Sequence, residues 1–312
     1  MIPGPVNASD SASASRAEAL KAALKTAEKF WPLTPKQVYY LMVERGQAGR
    51  GFIDYAEFAA LLDTMRHQGL LPVRSVWEAP PDVRLGGAWD NTEDFVRAEI
   101  QDLLWGYRRN LMQGQPRYVE VWLEKHELAD FFANVTLDYC VSTVVCPPVP
   151  GFGFFEDLRR RLADLPPGRA GVPGQRPEVV ALYFGDYNPA RPDDRIHVQD
   201  VLRAQGGIWD VSLKRVALTR NLVLEKALPS CVRLSASDEI LHPGAPELGA
   251  HEVELEALPP KNLVAMLCRS IENELDMALF ENQQQLQKRE LTALTRLRAD
   301  VLRRLDDLLP GK

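Results

Sequence analysis

Cysteine is scarce in this chain. Cys140, Cys146, Cys231 and Cys268 are the four present in 312 residues, and they form no CxxC pair and no regular spacing. That argues against a zinc site and against a disulfide framework, and for reduced, mostly buried thiols. The five histidines are scattered with no HExxH arrangement, so each reads as a surface or internally satisfied side chain. No apolar run approaches the roughly 18 residues a membrane-spanning helix needs. The opening stretch MIPGPVNASDSASASRAEAL has neither the basic start nor the apolar core of a secretory signal. Residues 1–14 read as a disordered leader, and the cytoplasm is the expected compartment, with no membrane partner. Positive charge is also in deficit, with 37 Lys and Arg against 43 Asp and Glu and a net charge of −6. A non-specific nucleic-acid coat protein would be basic, so that class is disfavoured, although local basic patches leave DNA open. Three such patches, YRRN at 107–110, RRR at 159–161 and LKR at 213–215, read as solvated faces.

What is present describes a globular protein, with 46% hydrophobic and 26% charged residues and enough length for two domains. Leu20, Ala23, Leu24, Ala27 and Phe30 share one face of a predicted helix over 15–30. Thr34-Pro35 is a strong helix start, and Gly46 a natural stop, for PKQVYYLMVERG. A third helix, about 53–68, ends at Gly69, and LLPVRSVWEA reads as a short extended pair. Helices followed by a small β element give the order of a winged-helix module over 15–112, with a further helix capped by Asn91-Thr92. From Tyr118 the pattern changes to alternating strands and helices, which predicts a three-layer α/β domain with a mainly parallel sheet over 117–279. IHVQDVLRAQG is one of its helices, and another runs from about Pro260 to Leu279. A polar terminal helix fills 280–312, with Leu286, Leu291, Leu294, Leu297, Val301 and Leu305 forming a seam for docking on the body or on a second subunit.

Chemistry concentrates where predicted strands end in acids. Val179 to Phe184 is an apolar run without polar alternation, as in a strand covered on both faces, and Gly185-Asp186 follows it. Glu124 closes the first predicted strand of the same domain. In open α/β sheets ligands collect beyond the carboxyl ends of strands. Two carboxylates converging there suit Mg²⁺, which takes few protein carboxylates and completes its shell with water and phosphate oxygens. The plainer readings are a turn at Asp186-Tyr187-Asn188-Pro189 and a surface ion pair at Glu124-Lys125.

VEVWLEKHEL, followed by GFGFFEDL and then ALYFGDYNPARPD, resembles the TOPRIM domain, whose signature is a strand-end Glu and a distal Asp-x-Asp. LTPKQVYYLMVERG resembles the winged-helix (5Y-CAP) domain of the topoisomerase VI A subunit and its meiotic double-strand-break relatives. RHQGLLPVRSVWEA and VELEALPPKNLVAML extend the likeness to small single-subunit phage and bacterial relatives, covering 33–276. The resemblance implies Tyr40 as the nucleophile on DNA, with Lys36 and Gln37 at the basic and polar positions before it. It implies Glu124, Asp186 and Asn188 as ligands of Mg²⁺, with Mn²⁺ as a substitute, Glu124 also taking part in catalysis. Lys125, Arg191 and Arg195 would flank the metal and the backbone of double-stranded DNA. It also implies a homodimer, in which one subunit's tyrosine works with the other's metal site, and possible further protein subunits. The second acid of Asp-x-Asp is Asn188, which brings no charge; Asp157, Asp193 or Asp194 are candidates to compensate. From the residues alone, the Tyr39-Tyr40 pair also fits packing. A water-using TOPRIM nuclease and a metal-poor DNA-binding or scaffold subunit are the alternatives.

Overall fold

A parallel strand covered on both faces is apolar in both sets of alternating side chains, as 179–184 is, and 118–123 follows the same pattern except at the buried Glu120. The computed structural model describes residues 8–46, 54–79, 87–148, 150–163, 165, 178–189, 211–234, 237–241 and 251–306. Four strands, β1 (Arg117–Leu123), β2 (Ser142–Val145), β3 (Glu178–Phe184) and β4 (Val211–Ala217), form an all-parallel sheet in the order β2-β1-β3-β4. Val119, Val121, Leu123, Val180, Leu182 and Phe184 point into one apolar cluster. Trp122, Val179, Ala181 and Tyr183 point into a second cluster on the opposite face. The molecule is thus of mixed α/β class with its sheet covered on both sides. Helix α5 (Ala129–Thr136) packs on the first face through Phe131 and Phe132, and α6 (Phe152–Ala163) on the second through Phe155, Leu158 and Leu162. The chain passes from β1 outward to β2, then back to β3 on the other side of β1. The gap beyond the carboxyl ends of β1 and β3 is therefore the topological switch point, where such sheets place ligands.

Ahead of the sheet lie α1 (Ala8–Thr26), α2 (Pro35–Glu44), α3 (Tyr55–His67) and α4 (Thr92–Asp102). Helix α1 begins at Ala8, inside the stretch expected to be a disordered leader. Thr34 caps α2 in a full capping box: its hydroxyl accepts the Gln37 N–H, and Gln37 Oε1 accepts the Thr34 N–H. Gly46 and Gly69 end α2 and α3 at positive φ, as the sequence implies. The extended pair expected at 70–79 is absent. Ser75 folds back onto the Pro72 carbonyl in a 3₁₀ turn, and Val76 makes a single bridge to Leu33. The helix expected at 196–206 lies outside the described residues.

After β4 come α7 (Arg220–Glu225) and an antiparallel hairpin, β5 (Ser230–Leu234) with β6 (Ser237–Leu241), which sequence reading did not anticipate. The helix expected over 260–279 is two: α8 (Pro260–Glu272) and α9 (Met277–Asp306). Asp276 interrupts it by accepting the Leu279 N–H through its side chain, which starts α9 afresh. Among the described residues no helix is long and apolar enough to cross a membrane. Cys146 is buried, but Cys140 and Cys268 are half-buried, so burial of the thiols is only partial.

Candidate active site at the carboxyl edge of the sheet

Glu124 follows β1 directly, and its backbone N–H still bonds the Phe184 carbonyl of β3 at 2.9 Å, so the ladder fixes where it leaves the sheet. Its Oε2 accepts the Asp186 N–H at 2.9 Å and the Tyr183 hydroxyl at 3.2 Å. Gly185 makes this possible. A Cβ there would lie 2.3 Å from Glu124 Oε2 and 2.7 Å from the Tyr183 ring, so the backbone can pass the carboxylate only without a side chain. Asp186 in turn accepts the Leu255 N–H on Oδ1 at 2.7 Å and holds the Lys125 ammonium against Oδ2 at 3.1 Å. The backbone carbonyl of Asp186 accepts from Arg215, which also reaches the Leu218 carbonyl at 2.8 Å and lies over the Tyr183 ring. Arg215 precedes a bulge at Val216, because Tyr183 pairs with Arg215 and Phe184 with Ala217.

A second segment closes the site. Tyr187 and Val253 exchange both backbone hydrogen bonds at 2.9 Å, which lays residues 251–258 across the strand ends. That segment brings Glu252, Glu254 and Glu256. Lys125 is 2.6 Å from Glu256 and 3.7 Å from Glu254, as well as paired with Asp186. The Tyr40 hydroxyl donates to Glu254 Oε2 at 3.0 Å, and Lys36 pairs with Oε1 of the same carboxylate. Asn188 donates its amide to Glu252.

The structure thus brings Lys36, Tyr40, Glu124, Lys125, Asp186 and Asn188 to one end of the sheet. Lys125, expected to face DNA, has its ammonium turned inward among carboxylates. Tyr40 reaches Glu254 of its own chain, and Tyr39 packs against Tyr55 and Phe58, as the packing reading of that residue expects. Asp157 is on α6, paired with Arg161. Arg191, Arg195, Asp193 and Asp194 lie outside the described residues. Sequence reasoning missed Glu254 and Glu256. The signal was the period-two run Glu252-Val253-Glu254-Leu255-Glu256-Ala257, but such alternation ordinarily puts its acids in solvent, whereas these two are buried.

Burial and compensation set the protonation pattern. Burial and the Asp186 charge push Glu124 above the usual carboxylate range. Burial also raises Asp186 and Glu256, with Lys125 opposing. One ammonium does not offset several buried acids. Burial would raise Glu254 too, but Lys125 and Lys36 together outweigh it and hold this carboxylate below its ordinary value. Conversely, burial would lower both lysines, and the surrounding carboxylates override it and keep them charged. Glu254 is therefore an ionised acceptor on the Tyr40 hydroxyl.

Among the described residues no three carboxylate, imidazole or thiol groups are placed to hold a metal ion. Glu124 and Asp186 amount to a two-carboxylate, hard-oxygen pair. That is the donor set Mg²⁺ accepts when waters and phosphate oxygens complete its shell, and the mutual repulsion raising Glu124 is what a cation would relieve. Compared with known proteins, the chain matches no family model, no curated protein and no solved structure.

Proposed function

We propose that the protein cleaves double-stranded DNA in a Mg²⁺-dependent reaction, with Tyr40 as nucleophile, in the manner of a topoisomerase VI A-like protein with winged-helix and TOPRIM modules. The observation that carries this reading is the Glu254 carboxylate. It ties the Tyr40 hydroxyl, at 3.0 Å, and the Lys36 ammonium from α2 to the Lys125–Asp186 pair at the sheet's switch point. A phenol is a weak nucleophile until a base takes its proton, and an ionised carboxylate already bonded to it is such a base. As the Tyr40 oxygen bonds to phosphorus, its proton passes to Glu254 and the P–O3′ bond breaks. Lys36, on the same carboxylate, is the acid we assign to the departing 3′ oxygen. Glu124 and Asp186 would hold Mg²⁺, or Mn²⁺ in its place, which when bound would neutralise charge on the phosphoryl oxygens. Tyr40 is 4% exposed, so the segments that cover the phenol must move aside, with the Tyr40–Glu254 bond kept, before a phosphate can reach it. The resting arrangement guards the nucleophile.

Supercoiled plasmid incubated with Mg²⁺ or Mn²⁺, beside an EDTA control, tests the reading. The wild type should nick or linearise it and leave a covalent protein–DNA adduct. Tyr40→Phe should abolish both while DNA affinity stays near wild type. Cleavage that persists in Tyr40→Phe but is lost in Asp186→Ala assigns the attack to water. A specific feature favours a second reading, a DNA-binding or scaffold subunit that holds no metal. The Lys125 ammonium stands among Asp186, Glu254 and Glu256 where a cation would otherwise be drawn. A wild type that neither cuts DNA nor binds Mg²⁺ at millimolar concentration by calorimetry establishes that reading instead.

A further inference from the structure

Lys125 stands between the two carboxylates on which the proposed reaction depends. Its ammonium is 3.1 Å from Asp186 Oδ2 and 2.6 Å from Glu256 Oε2. Glu254 Oε1 lies 3.7 Å away, beyond hydrogen-bond length, and Lys36 already holds that oxygen. Glu254 Oε2 accepts the Tyr40 hydroxyl. An ammonium has three donors, so Lys125 can serve the acid assigned to the metal and the acid assigned as base to Tyr40. The two strand-end acids are unequal in this arrangement. Glu124 takes neutral donors, the Asp186 N–H and the Tyr183 hydroxyl, both on Oε2. Asp186 Oδ2 already carries a cation, the lysine itself.

A divalent cation that draws on both acids therefore competes with Lys125 for Asp186. The lysine has a second place to go. Glu256 anchors its ammonium, and a shift of about 1 Å around that anchor exchanges Asp186 for Glu254 Oε1. The exchange would put two ammoniums on one carboxylate oxygen, and like charges at that separation repel. Lys36 is the one that can yield, because its side chain is 31% exposed and that of Lys125 is enclosed at 18%. We infer that Lys125 is a positioning residue that couples the Glu124–Asp186 pair to Lys36: on cation binding it passes from Asp186 to Glu254 and frees the Lys36 ammonium for the phosphate. The Tyr40 bond to Glu254 Oε2 is untouched by the exchange. The inference rests on the proposed reaction for its metal, but the movement belongs to this chain and is measured without DNA.

The full-length protein, its lysines isotope-labelled at the ε carbon, is titrated with Mg²⁺ alone by calorimetry and NMR. In the wild type the Lys125 and Lys36 signals should move together and saturate along the calorimetric isotherm. Lys125→Met should bind Mg²⁺ at least about tenfold more tightly, because no ammonium has to be displaced. In that variant the Lys36 signal should hold nearly still through the titration. A Lys36 shift as large in Lys125→Met as in the wild type is a direct effect of the ion and overturns the coupling. Equal or weaker Mg²⁺ affinity in Lys125→Met overturns it as well. Should Lys125→Met fail to fold, the wild-type titration decides alone: Mg²⁺ that binds while the Lys125 or Lys36 signal stays fixed refutes the coupling and leaves the metal pair standing. Absence of saturable Mg²⁺ binding by the wild type up to about 20 mM, a range weaker than about −2.3 kcal/mol, removes the metal pair and the coupling with it.

Discussion

Lys125 carries its ammonium into a nest of three carboxylates, with side-chain exposure of 18%. Replacing it with methionine keeps the stem's apolar volume and removes the charge. Asp186, Glu254 and Glu256 are then left buried around no cation on that side, which is costly, on the order of 3 kcal/mol. The pH dependence has a definite sign. Without Lys125 the folded-state affinities of these acids for protons rise above those of the unfolded chain. The folded form then binds more protons, so its stability is fully present below about pH 4 and is lost as pH rises through the folded-state values. Urea melts of Lys125→Met against wild type should therefore show a small deficit at pH 4 that widens toward pH 8; a deficit constant across that range would refute the nest. Lys125 also marks what a single sequence hides. Its neighbour Glu124 and the acid Asp186 were legible as strand-end residues, because a buried parallel strand has a recognisable pattern and its end can be counted. The inward turn of Lys125 depends on Glu254 and Glu256, which are about 130 residues away and are brought to it by the Tyr187–Val253 bridge and the Leu255 N–H bond to Asp186.

At the scale of elements, the basic patches are put to structural use. Arg109, from YRRN, bonds Gln283, Gln287 and Glu290 of α9, while Tyr107 donates to Glu290 at 2.6 Å. Arg161 pairs with the buried Glu120 at 2.9 Å, and Lys214 with Glu274 at 2.6 Å. The expectation of solvated faces fails for Arg109 and Arg161, which are largely covered because each sits opposite an acid far away in sequence, whereas Lys214 keeps a solvated side chain beside Glu274. The leucine seam of α9 was visible from its spacing, yet Leu291 and Leu297 remain exposed in the chain, and beyond the buried Phe280, stacked on Tyr139, the helix is held by these polar contacts. Arg109→Ala should accordingly loosen α9. Hydrogen exchange should speed between 283 and 298 while β1 and β3 keep wild-type protection, and added salt should speed the wild type in the same direction. Unchanged exchange in that segment would show that α9 is held by other contacts.

Among the described residues, the larger of two apolar clusters runs from the N-terminal helices to one face of the sheet. Leu24, Val38, Met42 and Phe58 of the N-terminal helices belong to the same buried set as Val121, Leu123, Phe132 and Leu182 of the sheet layer. Leu255 and Leu263, just beyond the acids of the site, belong to it too, and the turn at 255–257 packs on α2. The sequence divides naturally near 112–117, where helical periodicity gives way to strands, but burial does not follow that division. Elements that share a core lose their packing together, so the helices at 20–76 and the sheet should unfold in one step. Calorimetry should give a single transition whose measured and van't Hoff enthalpies agree. Leu255→Ala sharpens the test, because this side chain is fully buried and its removal costs about 2–5 kcal/mol. In a shared core the variant moves the single transition to lower temperature with both tyrosine fluorescence and far-UV signals shifting together. If two transitions appear, and Leu255→Ala lowers only one of them, the two halves fold separately and the junction that joins Tyr40 to Asp186 is a docking contact that can open without loss of either half.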